Sequence, residues 1–298
     1  MLINRLAIIG VGLIGGSLAR ALKSAGVCQT VIGHGRNEKN LTKAKELGVI
    51  DEYSLDLAEV ISSADVIVLA TPLSSTEFLL KAVAENSGKD TIITDVGSIK
   101  ISVIRSARSI LGDHLKFFIP GHPVAGTEQS GVEASFSELF KDHLVILTPL
   151  EESHPDAQSL IKSMWEACGA KVVFITPEYH DQVLAATSHL PHLLAYALVH
   201  CLETMDEREE IFKFAAGGFK DFTRIASSNP EMWSDICLSN QDYLLKALEL
   251  FISQLEQITG VINNNDRDGL LQIFSSAKHA RDQFLEELDS NTNLGSNK

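Results

Sequence analysis

Cysteine is scarce and scattered: four residues in 298 (Cys28, Cys168, Cys201 and Cys237), with no CxxC pair and no metal-ligand spacing. A disulfide framework and a cysteine-built metal centre are therefore excluded, and the thiols are expected to be reduced and buried or idle. Long hydrophobic runs are also absent. The N-terminal run Arg5-Leu6-Ala7-Ile8-Ile9 is closed by glycine and is too short for a secretory leader, and no stretch is long enough to span a bilayer. A cytoplasmic location with no membrane partner is expected. Positive charge is in short supply: 25 Lys and Arg stand against 39 Asp and Glu, a formal net charge of −14. With no basic stripe to offset phosphate, a nucleic-acid partner is excluded. An anionic substrate would have to be met by individual Arg or Lys side chains or by helix N-termini.

The remaining composition is ordinary for a globular protein, 45% hydrophobic and 21% charged, in a chain whose length suits two domains. In the first half, short β-branched runs alternate with helical stretches. Strands are expected at Leu6–Ile9, Thr30–Gly33, Val66–Ala70, Thr91–Val96, Phe117–Ile119, His143–Leu147 and Lys171–Ile175, with helices such as Gly16–Ala25 and Leu41–Leu47 between them. That alternation predicts a doubly wound parallel sheet. After Thr176-Pro177 the strand signal stops, and helical repeats take over at Val183–Leu202, Tyr243–Thr259 and Leu270–Leu288. Leu244, Leu245, Leu248, Phe251, Ile252 and Leu255 recur at helical spacing and predict a buried stripe. The expected division is an α/β part over residues 1–176, an all-α part over 177–288 and a disordered polar tail over 289–298. So much apolar surface on the helical part points to a homodimer built through it.

The turn Gly10-Val11-Gly12-Leu13-Ile14-Gly15 follows the first strand and opens a helix, the context that gives GxGxxG meaning. Gly10 permits the tight turn, Gly12 lets backbone approach a pyrophosphate, and Gly15 lets helix and strand pack closely. The helix N-terminus then offers free N–H groups to phosphate. This predicts a Rossmann-type site for a nicotinamide dinucleotide. At the end of the second strand, where an acid would hold the ribose hydroxyls of NAD, the chain has Gly35 followed by Arg36. A guanidinium without a neighbouring carboxylate suits a 2′-phosphate, so NADP is favoured over NAD; the alternative is a solvated Arg36 stacking on adenine in either cofactor.

In a parallel sheet the loops that follow strands emerge on one edge. Here they are the glycine turn, Thr71-Pro72-Leu73-Ser74, Asp95-Val96-Gly97-Ser98-Ile99-Lys100, and Pro120-Gly121-His122-Pro123-Val124-Ala125-Gly126-Thr127-Glu128. Thr71 and Pro72 are expected to line the cofactor. Ser98 and His122 are expected at its nicotinamide end, where oxidising an alcohol needs a group to take the hydroxyl proton as hydride leaves. In the helical half, His189 and His192 share a helix face in Ser188-His189-Leu190-Pro191-His192, with no third ligand to suggest a metal. Arg224, near Lys220 and Asp221, is either an internal ion pair or a fork for a substrate carboxylate.

These segments together resemble the prephenate/arogenate (cyclohexadienyl) dehydrogenases of tyrosine biosynthesis. The specific parts are Gly121-His122-Pro123-Val124-Ala125-Gly126-Thr127-Glu128 and Gly218-Phe219-Lys220-Asp221-Phe222-Thr223-Arg224-Ile225-Ala226. The resemblance implies hydride transfer to NAD(P)+ from the ring carbinol of prephenate, arogenate or both, with loss of CO2. It implies that His122 handles the hydroxyl proton, that Ser98 hydrogen-bonds the same centre and that Arg224 holds the ring carboxylate. Thr127, Glu128 and His192 match further pocket positions. A β-hydroxyacid or 6-phosphogluconate-type dehydrogenase would use a helical lysine such as Lys220 and leaves the His122 segment unexplained. A non-catalytic nucleotide sensor would need a DNA-binding module for which this acidic chain has no room.

Overall fold

The structure, a computed structural model, describes residues 2–127, 129–206 and 208–294. Six strands form a parallel sheet: β1 (Ile3–Ile9), β2 (Cys28–His34), β3 (Glu52–Tyr53), β4 (Val66–Leu69), β5 (Ile92–Asp95) and β6 (Phe118–Ile119). Their spatial order is β3-β2-β1-β4-β5-β6, so the order reverses at β1 and β4. Ile9 at the end of β1 lies opposite His34 of β2 and Leu69 of β4, which brings the loops after all three strands to one edge.

The apolar runs read as strands because both faces of the sheet are covered. Leu6, Ile8 and Val68 point into one core with Leu18, Leu22, Phe140 and Trp165. Their neighbours Ala7, Ile67 and Leu69 point into the other, with Leu80, Val83 and Phe118. Helices cover both faces, and several start on side chains chosen for the purpose. Asn37 accepts from the Asn40 amide to open Glu38–Glu46, and Asp56 accepts from the Ala58 and Glu59 amides to open Leu57–Ser62. Such caps each contribute about 1 kcal/mol.

A second, three-stranded sheet was not foreseen. β7 (Gly121–Pro123) runs antiparallel to β8 (Leu144–Leu147), which pairs in parallel with β9 (Lys171–Phe174). The segment read as a loop around His122 is therefore a short strand, with His122 opposite Ile146. The expected helix Val183–Leu202 is also subdivided: Pro177–Leu184 passes through one π-helical turn, Ala185–His189, into Leu190–Glu203.

The chain divides into two compact units between Leu244 and Leu245. The second contains the rest of the helix Gln241–Asn263 and the helix Arg267–Leu294. Of the six apolar residues expected to be buried along the first of these, only Leu244 is buried within the single chain. Leu245, Ile252 and Leu255 are exposed. The tail expected to be disordered from 289 instead continues in helix to Leu294, and residues 295–298 lie outside those described. Among the described residues no helix is long and apolar enough to cross a membrane.

Candidate active site

The glycine turn has the tight geometry and close packing that its spacing predicts at Gly10 and Gly15. Gly10 has φ +99°, and a Cβ there would collide with the Ala70 carbonyl and lie 2.9 Å from Thr71 Cγ2. Gly15 is pressed against the Gly10 carbonyl, with Ile8 Cγ2 only 2.8 Å from where its Cβ would be. Gly12 differs from both. A Cβ there would meet nothing within 4 Å, so no protein atom requires glycine at that position. Gly12 is the N-cap of the helix Leu13–Ser24, offers no side-chain cap, and is followed by no acid in the first turn. The space beside Gly12, at the positive end of this helix, is open and free of acidic side chains in the first turn, which fits a dinucleotide pyrophosphate. Thr71 and Pro72 follow β4 directly beside Gly10, with the Thr71 hydroxyl accepting from Ser75 Oγ at 3.0 Å. At the end of β2, Gly35 would meet only Leu41 at 3.7 Å if it carried a Cβ, so an acid is not excluded by space. Arg36 is exposed and makes no ion pair among the described residues.

Three segments converge on His122. After β5 the chain turns so that Asp95 accepts through Oδ2 from the Gly97 amide at 2.9 Å and from Lys100 Nζ at 2.5 Å. Its other oxygen accepts from the Gly121 amide at 3.1 Å, while Lys100 Nζ also donates to the Gly121 carbonyl at 2.7 Å. Lys100 is fully buried, and burial pushes its ammonium below the usual range against the pull of Asp95. This cluster clamps Gly121, and with it the backbone of His122, to the turn that carries Ser98. Ser98 is half-buried, and its neighbour Ile99 packs in a small core with Trp233 and Ile236.

His122 is 8% exposed, and its Nδ1 lies 2.9 Å from Nε2 of His180. Nδ1 of His180 lies 2.7 Å from Asp181 Oδ1. The Asp181 carboxylate also accepts from the amides of Lys100 and Ile101 at 2.8 and 2.9 Å, which ties the helix Pro177–Leu184 to the start of Ile101–Ile110. Burial, then the neighbouring His180 and Lys100, hold His122 well below the ordinary histidine range, so it is neutral near pH 7. His180 is lowered by burial as well, although its hydrogen bond to Asp181 pulls the other way.

His189 and His192 flank Trp233. The His192 ring stacks on the indole at 3.6 Å between centroids, and His189 meets it edge-on at 6.1 Å. His189 Nδ1 lies 3.1 Å from the side-chain amide of Asn240, and burial lowers its pKa to about 4. The turn Arg224–Ser227 packs on the helix carrying His192, and Tyr196 in that helix donates to the Ser228 carbonyl at 2.6 Å. Arg224 itself is exposed. Thr127 is exposed in the irregular segment after β7, where its hydroxyl accepts from the Gln129 amide at 3.2 Å. Glu128 lies outside the described residues.

His180 and Asp181 had no part in the sequence reading. Their signal was a His-Asp pair on the buried face of a helix: His180, Asp181, Leu184, Ala185 and His189 are all buried at helical spacing. Three polar residues on such a face need partners, and these partners lie about 50 to 80 positions away in the chain.

Comparison with known proteins places this geometry. Residues 18–174 match the family model of the prephenate dehydrogenase nucleotide-binding domain, and residues 176–276 match that of the prephenate dehydrogenase dimerization domain. A cyclohexadienyl dehydrogenase of Zymomonas mobilis is 39% identical, the match covering 93% of this chain and 95% of the relative. A prephenate dehydrogenase of Bacillus subtilis is 36% identical over 94% of this chain and 76% of its own. The crystal structure of prephenate dehydrogenase from Aquifex aeolicus with hydroxyphenyl propionate and NAD+ superposes with a TM-score of 0.89 at 38% identity, covering 94% of this chain and 98% of that one. Two family models that between them match most of the chain, and relatives 36–39% identical over 93% or more of it, establish the conclusion: the chain belongs to the prephenate dehydrogenase family.

Proposed function

We propose that the protein catalyses the NAD(P)+-dependent oxidative decarboxylation of prephenate, with His122 as the base. The observation that carries this reading is the buried, neutral His122 held on the sheet edge that also bears the glycine turn. Gly10–Gly15, with Thr71 and Pro72, would hold the nicotinamide cofactor, which would supply the hydride acceptor for the ring carbinol carbon. His122 takes the hydroxyl proton as that carbon is oxidised. The bond to the ring carboxylate then breaks, CO2 leaves, and its electron pair completes the aromatic ring. The phenolate oxygen recovers the proton from His122, so the phenol keeps its hydrogen and no net proton is released. Ser98 orients the hydroxyl, and Arg224 forks the ring carboxylate. Thr127, Glu128 and His192 line the rest of the pocket, by resemblance to the family.

Two finer features belong to the same proposal. Gly35 and the exposed Arg36 favour NADP over NAD, because no carboxylate repels a 2′-phosphate and a guanidinium is at hand. The domain division falls near residue 176, and the helical part pairs with a second copy through its uncovered apolar face. The relatives carry prephenate, arogenate and cyclohexadienyl dehydrogenase names, so the substrate side chain has to be assayed. A steady-state grid of prephenate and arogenate against NAD and NADP tests the reading. Turnover of prephenate, with a higher kcat/KM for NADP, is expected. His122→Asn is expected to lower kcat by about 100-fold or more. Full activity in that variant would overturn the proposal, and a clear NAD preference would overturn the role of Arg36.

A further inference from the structure

We propose that His180 is a positioning residue that fixes the tautomer of His122, with Asp181 anchoring the relay. The inference rests on reading His122 as the base and concerns which of its two nitrogens does the work.

The hydrogen bonds leave one consistent arrangement. An ionised Asp181 carboxylate can only accept, and it already accepts from the backbone amides of Lys100 and Ile101. The nitrogen 2.7 Å from it, His180 Nδ1, must therefore carry the hydrogen. In a neutral imidazole the other nitrogen is then an acceptor, so His180 Nε2 can only receive. His122 Nδ1, 2.9 Å away, is consequently the donor. A neutral His122 with hydrogen on Nδ1 holds its lone pair on Nε2, the nitrogen without a protein partner among the described residues. That is the state a base needs before it meets the hydroxyl. The opposite tautomer would present an N–H to the substrate and could not take its proton.

The relay also serves the charged state. When Nε2 takes the proton, His122 becomes an imidazolium in a largely dry site, and its Nδ1–H still donates to His180, whose Nδ1–H still donates to the Asp181 carboxylate. Charge develops along a line of hydrogen bonds that ends on an anion held by two backbone amides, so nothing has to reorganise. A role confined to core structure would not select a tautomer. Two histidines packed edge-on, as these are with ring centroids 5.1 Å apart, would fill the same space in either form.

His189 supplies an internal contrast. The Asn240 amide nitrogen donates to the Asp181 carbonyl at 2.8 Å, which fixes it as the group facing His189 Nδ1. That nitrogen is then an acceptor, and His189 carries its hydrogen on Nε2. His122 and His189 should be opposite tautomers within one site.

The test has a spectroscopic arm and a kinetic arm. In 15N spectra of histidine-labelled native protein near pH 7.5, with signals assigned through His122→Asn and His189→Asn, His122 should show a protonated Nδ1 and a bare Nε2, and His189 the reverse. A His122 protonated on Nε2 would overturn the proposal. Kinetically, His180→Phe fills the space but cannot accept, and should lower kcat about 100-fold with the prephenate KM within about threefold. His180→Gln puts an amide oxygen where Nε2 was and should recover kcat to within about tenfold of native. A His180→Phe enzyme with near-native kcat would refute the relay. Loss of activity in His122→Asn together with the wrong His122 tautomer would leave the base in place and remove only the positioning role.

Discussion

Asp95 and Lys100 meet in a buried ion pair, with Nζ 2.5 Å from Oδ2 and almost no solvent at either side chain. Each charge is also held by backbone, the carboxylate by the amides of Gly97 and Gly121 and the ammonium by the Gly121 carbonyl. Removing one partner strands the other in the interior, which typically costs 3–5 kcal/mol. Lys100→Met and Asp95→Ala are each expected to lower stability by about 4 kcal/mol in urea titrations. The double variant should lose much less than the sum, because no lone charge remains. Additive losses would mean that the two side chains act separately.

The glycine turn separates two kinds of glycine by experiment. Gly10→Ala forces a side chain into the Ala70 carbonyl at φ +99° and is expected to cost about 2–4 kcal/mol of stability. Gly12→Ala meets nothing in the protein and should shift stability by no more than about 0.5 kcal/mol. Its methyl group would nonetheless stand between the backbone and a pyrophosphate. The cofactor KM should rise at least tenfold in a variant that melts like the native protein. An unchanged cofactor KM in Gly12→Ala would move the dinucleotide away from this turn.

How much of this was legible in the sequence depends on where the information lies. β1, β2, β4 and β5 could be read because burial on both faces makes a continuous apolar run, as at Leu6-Ala7-Ile8-Ile9. β3, two residues at the edge, carries no such run. β7 is Gly121-His122-Pro123, whose local preference is for a turn; it is a strand because β8 offers it an edge. The placement of Ser98 and His122 on one edge followed from the parallel direction of the strands, which their alternation with helices predicts. The connection from His122 through His180 to Asp181 was out of reach, since it depends on a helix from the second half of the chain docking beside Lys100. The stripe from Leu245 onward, expected to be buried, is exposed in the single chain for a simple reason. Helical spacing identifies an apolar face but not whether the same copy of the chain covers it.

The buried histidines make stability depend on pH in a stated direction. His189 falls from an ordinary 6.5 to about 4 because burial penalises its charged form, beside Asp181, His180, His192, Asn240 and Trp233. Between those values the unfolded chain binds a proton that the folded chain does not, so stability rises with pH through this window and is lost as pH falls from 6.5 toward 4. A gap of this size corresponds to about 3 kcal/mol for His189 alone. His122, His180 and His192 are shifted in the same direction and steepen the loss. Urea midpoints measured from pH 7 down to pH 4.5 should fall steadily, and His189→Asn should reduce the slope by about one proton. A flat profile, or one that falls with rising pH, would contradict burial of neutral histidines.

The uncovered stripe on the helix Gln241–Asn263 gives the last prediction. Leu245, Ile252 and Leu255 are 45%, 46% and 48% exposed in the single chain. Leaving that many large aliphatic side chains wet forgoes about 1.5–3 kcal/mol for each one that could be buried. A monomer has no reason to carry such a face, whereas two copies can cover it symmetrically. Sedimentation of the native protein should therefore give twice the chain mass, and Ile252→Glu combined with Leu255→Glu should shift it to the chain mass by placing like charges in the shared face. The elements around His122, Asp95 and Lys100 all lie in the other compact unit. The charged variant should therefore keep its α/β part folded by circular dichroism. A native protein that sediments as a monomer at micromolar concentration would leave the stripe without the partner proposed for it.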